Sequence, residues 1–201
     1  MYSDVMLDGI NIVILARNYN PSIVSKEWLY NKNIVIEEAV NFVHTPLLSL
    51  VETDQISFIL NDDRLQISLK RISPENIEGL PKIASKFVSA LPETPYSAVG
   101  FNYRYHIPQM SFQAEVLFSP NDIKLKELFA EDYKLGGVVL FKFKNFVVRM
   151  NATPVRGEDA RIVVDFNFHS DCHNSEEVKE RLKLYSDITD RTKDILNNLS
   201  K

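Results

Sequence analysis

Apolar side chains recur along the chain with two periods. After Ser73 they fall at Ile77, Leu80, Ala84, Phe87, Val88 and Leu91, an amphipathic stripe that stops before Pro92 and Pro95 and predicts a helix over 74–91. Near the end, Val178, Leu182, Tyr185, Thr189, Thr192, Leu196 and Leu199 repeat at alternating spacings of four and three, predicting one long helix over 175–199. Glu176 and Glu177 at its start and Arg191 and Lys193 towards its end suit the helix dipole. Elsewhere the period is two. Leu65, Ile67 and Leu69 alternate with Gln66, Ser68 and Lys70, and Phe101, Tyr103 and Tyr105 with Asn102, Arg104 and His106. Ile162, Val164, Phe166 and Phe168 share one face of a further strand. Val139, Phe141 and Phe143 point one way until the phase breaks at Lys144-Asn145, which marks a hairpin or a bulge.

Helix starts are written in cap chemistry. Asn20-Pro21, Ser73-Pro74 and Ser119-Pro120 each place a capping side chain before a proline whose missing N–H costs nothing at the first helical position. Asn174 with Glu177 forms a fourth start. The resulting order is 10–16, 21–31, 46–53, 55–60, 65–71 and 74–91, then 97–106, 120–130, 137–144, 146–152, 160–168 and 175–199. Segments 33–43 and 109–118 fit either a loop or an added strand. The pattern is β-α-βββ-α twice, in halves of about 1–92 and 95–201 whose link, Pro92-Glu93-Thr94-Pro95, is too short to separate free domains. We therefore expect a single α+β domain of two duplicated halves sharing one antiparallel sheet, with helices on one face. This order of elements resembles the saddle of the TATA-binding-protein-like folds over most of the chain. The resemblance implies a shared sheet and transfers no catalytic or base-reading residue.

Composition narrows the function classes. At 201 residues, 45% hydrophobic and 25% charged, the chain reads as an ordinary globular protein, not a disordered or disulfide-stapled one. One cysteine excludes any site needing two. No leader pattern and no long apolar run is present, so a cytoplasmic protein without membrane contact is expected. The net charge of −4 works against strong non-specific nucleic-acid binding.

Candidate chemistry is sparse. His169, Cys172 and His173 form the densest set of metal-ligand types, against a turn reading for the same segment, which joins the last strand to the last helix. Asp62-Asp63 reads as hairpin-tip chemistry. Arg17 and Asn18 precede a predicted helix start, where free N–H groups attract anions. Alternation places Gln66, Ser68, Lys70, Asn102, Arg104, Lys142, Arg149, Arg161 and Asn167 on an open sheet face, where the cations suit a phosphate or a protein partner. Aromatics needed to stack on bases take the opposite phase. No phosphate loop or nucleophile elbow occurs, and no cofactor is predicted. The sequence leads to a non-catalytic binding or regulatory subunit contacting another protein, with a second copy of the chain as a further partner. A nucleic-acid-binding sheet is the first alternative and a metal-dependent enzyme the second.

Overall fold

The computed structural model describes residues 5–108, 111–112, 122–129, 136–155 and 161–200. The alternating segments become strands β1 (Met6–Ala16), β2 (Asn41–His44), β3 (Ser49–Glu52), β4 (Ile56–Leu60), β5 (Arg64–Leu69), β6 (Tyr96–Pro108), β7 (Gly137–Phe143), β8 (Phe146–Pro154) and β9 (Arg161–Asp171). The helices are α1 (Lys26–Asn31), α2 (Pro74–Ala90), α3 (Asp122–Phe129), α4 (Ser175–Lys183) and α5 (Tyr185–Leu199). All nine strands join one antiparallel sheet in the order β2-β3-β4-β5-β1-β6-β9-β8-β7. The first strands of the two predicted halves, β1 and β6, therefore pair at its centre, and the protein is α+β with helices packed on the sheet.

Period-two patterning sets which face is covered. Ile12, Ile14, Leu65, Ile67, Phe101, Tyr103, Val164, Phe166 and Phe168 are buried, while the residues between them are mostly half-buried or exposed. Against this face α2 lays Leu80, Ala84, Phe87 and Val88, and Trp28 of α1 meets Phe87 edge-on at 6.2 Å. On the other side of the centre, Tyr185 sits 5.4 Å from Phe101 and 6.1 Å from Tyr103. Thr189 and Thr192, which look out of place in an apolar stripe, are buried there and answer two tyrosines. Tyr103 Oη lies 2.9 Å from Thr189 Oγ1 and Tyr105 Oη 2.7 Å from Thr192 Oγ1. Each threonine hydroxyl already donates to a backbone carbonyl, Tyr185 O or Thr189 O, so each tyrosine is the donor across the gap.

Three predicted elements come out differently. The helix expected over 21–31 is a 3-10 turn, Pro21–Ile23, followed by α1 with its own cap: Asn20 accepts from Ser22 N, and Ser25 from Trp28 N at 3.1 Å. The strand expected over 46–53 is β3 alone. The ambiguous 33–43 segment contributes to β2, so four strands follow α1 where three were expected. The C-terminal helix breaks at Leu184, whose N–H reaches back only to Arg181 and Leu182, and the chain restarts as α5. The Ser119-Pro120 start and most of 109–118 lie outside the described residues.

Candidate functional site

The open face is built by register. One row of positions crosses the sheet from Asn41 through Glu52, Ser57, Ser68, Asn11, Asn102 and Asn167 to Arg149, each in register with the next. Its centre is an amide chain: Asn167 Nδ2 donates to Asn102 Oδ1 at 2.6 Å, and Asn102 Nδ2 to Asn11 Oδ1 at 2.7 Å. Beside it Arg104 Nε donates to Asp165 Oδ1 at 2.8 Å, and this carboxylate raises the arginine's pKa further. His106 Nε2 meets Asp8 Oδ2 at 3.1 Å, and His169 Nε2 meets Asp171 Oδ1 at 3.2 Å.

Alternation places Arg104, Lys142, Arg149 and Arg161 on this face together, while Lys70 lies beyond the end of β5. Arg104 is engaged by Asp165, and Asp8, Glu52, Asp165 and Asp171 intersperse acidic charge among the cations. Arg17 and Asn18 are elsewhere, exposed past the end of β1, with Asn18 in the left-handed region at φ 56. The chain there leads into the three-residue 3-10 turn, so the expected helix N-terminus is missing. The Asp62-Asp63 tip closes on this corner through its backbone, Asp62 O accepting from Tyr19 N at 2.7 Å. Asn61 Oδ1 caps the same turn by accepting from Arg64 N, also at 2.7 Å.

The proposed ligand trio does not converge. His169 is exposed on the open face and Cys172 is fully buried on the other side, where burial pushes its thiol up to about 11. His173 is exposed, its N–H donating to Glu177 in the cap of α4. Among the described residues no three His, Cys, Asp or Glu side chains are grouped to hold a metal.

A concavity lies on the helical side. A groove of about 1000 Å³ runs between α2 and the α4–α5 pair, with Ile77 and Pro81 on one wall and Leu182, Tyr185 and Thr189 on the other. Along α2 it extends from Pro74 to Lys86, roughly 18 Å at a helical rise of 1.5 Å per residue. Its far rim is a rail of ion pairs three residues apart, Glu176–Lys179, Glu180–Lys183 and Asp190–Lys193. Its near rim carries Lys82, which has no carboxylate partner among the described residues, and Lys86, whose Nζ donates to Asn33 O at 2.7 Å. The Tyr185 hydroxyl in the groove wall is buried with no hydrogen-bond partner among the described residues, and burial pushes its pKa well up.

Alternation could not reveal this groove, because its walls come from helices distant in sequence. The local signal was Pro81, which adds apolar surface beside the α2 stripe without belonging to it. Asn11 was missed because 10–16 reads as one apolar run, although its odd phase against Ile10, Ile12 and Ile14 marks the opposite face. Comparison with protein-family models and with curated proteins finds no match to this chain. Among the described residues no helix is long and apolar enough to cross a membrane.

Proposed function

We propose that the protein is a non-catalytic, protein-binding subunit, and that its contact site is the groove between α2 and the α4–α5 pair. The groove itself carries the reading. It has an apolar floor, a mixed-charge rim and a length matching about three turns of an amphipathic helix, the combination used in helix-in-groove recognition. A partner helix with an apolar stripe and an acidic residue opposite Lys82 fits it. The buried ionisable groups point the same way. The Tyr19, Tyr96, Tyr103, Tyr105 and Tyr185 phenols and the Cys172 thiol are all pushed up by burial, which holds them neutral, the reverse of what a nucleophile or base requires. The open face is a weaker contact candidate, since its central amides are satisfied by one another and its charges are mixed. That mixture, with a net charge of −4, favours a protein over a nucleic acid. We also read the two halves, pairing through β1 and β6, as a duplicated unit, one that has gained β2 on the first side.

The test is affinity purification from the protein's own cells with mass spectrometry, using wild type, Ile77→Asp and Arg149→Glu. One stoichiometric partner is expected with wild type and with Arg149→Glu. It should be lost with Ile77→Asp, a half-buried position, while far-ultraviolet circular dichroism, measured alongside, is expected to match wild type. Loss with Arg149→Glu alone would move the contact to the sheet. The absence of any stoichiometric partner for wild type would overturn the reading.

A further inference from the structure

The sheet ends in two unlike edges. At β2 the edge is four residues long, His44 Nε2 is tied to Pro21 O at 3.1 Å, Lys26 stands 6.0 Å over the Phe42 ring, and Pro46 follows closely. These are devices that blunt an edge. The other edge, β7, has seven residues, Gly-Val-Val-Leu-Phe-Lys-Phe, with one charge and no proline. Among the described residues its only ladder partner is β8. Leu140, at its middle, is 70% exposed and Val138 46%, while Val139, Phe141 and Phe143 are half-buried at the rim of the core.

We propose that β7 pairs antiparallel with β7 of a second copy of this chain, about a twofold axis at Leu140, joining the two sheets into one. The backbone chooses the register. The turn Lys144-Asn145 is a two-residue loop with Lys144 at φ 51, and such a hairpin closes on a hydrogen-bonded pair, here Phe143 with Phe146. Phe143, Phe141 and Val139 therefore direct their backbone groups to β8, and Val138, Leu140 and Lys142 direct theirs to the free side. Only those three can bond a neighbouring strand. Centring the twofold on Leu140 uses all of them, matching Leu140 with Leu140 and Val138 with Lys142 of the second copy, for about six hydrogen bonds.

Charge agrees with this register. Each Lys142 faces a valine, and the two ammonium groups lie at opposite ends of the junction. A shift that set Lys142 against Lys142 would oppose like charges. The axis stands perpendicular to the sheet, so both helical layers lie on one side. There the half-buried Val139 and Phe141 of each copy gain apolar neighbours across the junction. The groove takes no part, so this proposal and the partner-binding reading stand or fall separately.

Sedimentation equilibrium and cysteine cross-linking test it. Wild type is expected to be a reversible dimer, with Leu140→Lys raising its dissociation constant by more than about tenfold while circular dichroism is unchanged. In the proposed register the two Leu140 Cα atoms stand about 5.5 Å apart, within disulfide reach. Leu140→Cys should therefore oxidise to a covalent dimer. Val138→Cys alone should not, but a mixture of Val138→Cys and Lys142→Cys chains should. Cys172 is buried and gives no background. A wild type that is monomeric at all concentrations, a dimer indifferent to Leu140→Lys, or equal cross-linking by Val138→Cys alone would each overturn the proposal.

Discussion

On the covered face, Tyr103 and Tyr105 donate to Thr189 and Thr192 across 2.9 and 2.7 Å. On the open face, Asn167, Asn102 and Asn11 are chained across 2.6 and 2.7 Å. The lengths are alike and the settings are opposite. The hydroxyl pairs lie where water is excluded, so removing one partner strands the other without a substitute. The amide chain lies in a half-buried to exposed row, where water replaces whatever is removed. Hydrogen bonds of one geometry thus lock the α5 helix to the sheet on one side and merely tidy a wet surface on the other.

Three substitutions grade that contrast. The largest loss is expected from Phe168→Ala, which empties a fully buried ring site touching Tyr103, Phe146 and Phe166. Urea unfolding should show a loss of about 3–5 kcal/mol. A smaller effect, about 1–3 kcal/mol, is expected for Thr189→Ala, because the Tyr103 hydroxyl is left buried without an acceptor. The double variant Tyr103→Phe/Thr189→Val should recover most of that loss, since both polar ends are then gone. If it does not, packing and not the hydrogen bond links α5 to β6. The smallest effect belongs to the open face. Asn102→Ala should change stability by less than about 1 kcal/mol, although Asn102 is the only member of the amide chain bonded on both sides. A loss as large as that of Thr189→Ala would mean the two faces are not energetically distinct.

What could be read from the chain follows the range of the interactions involved. Strand phase and cap residues are local, so Ser73, Asn174 and the alternation of β5, β6, β8 and β9 predict both the elements and the face each residue takes. For the same reason alternation assigns the cations Arg104, Lys142, Arg149 and Arg161 to one face, and they share it. What local patterning misses is anything decided by neighbours far along the chain. The ion partner of Arg104 is on β9, and the groove needs α2 beside α4 and α5. His169 and Cys172 are close in sequence, but the β9 end sends them to opposite sides, so proximity in the chain does not make them a ligand set. The break at Leu184 leaves no local mark, because the four-three spacing continues unbroken through it.

The central position of β1 has a consequence in time. It precedes both of its neighbours, β5 and β6, in the chain, with Asn11 facing Ser68 and Met6 facing His106. At about 5–20 residues per second, the Ile-Val-Ile-Leu-Ala run of β1 waits on the order of 5–20 s for the β6 segment to be synthesised. Pairings this distant put folding on the slow, millisecond-to-second scale. During synthesis the strand at the centre of the finished sheet is therefore an apolar segment that waits for both of its partners.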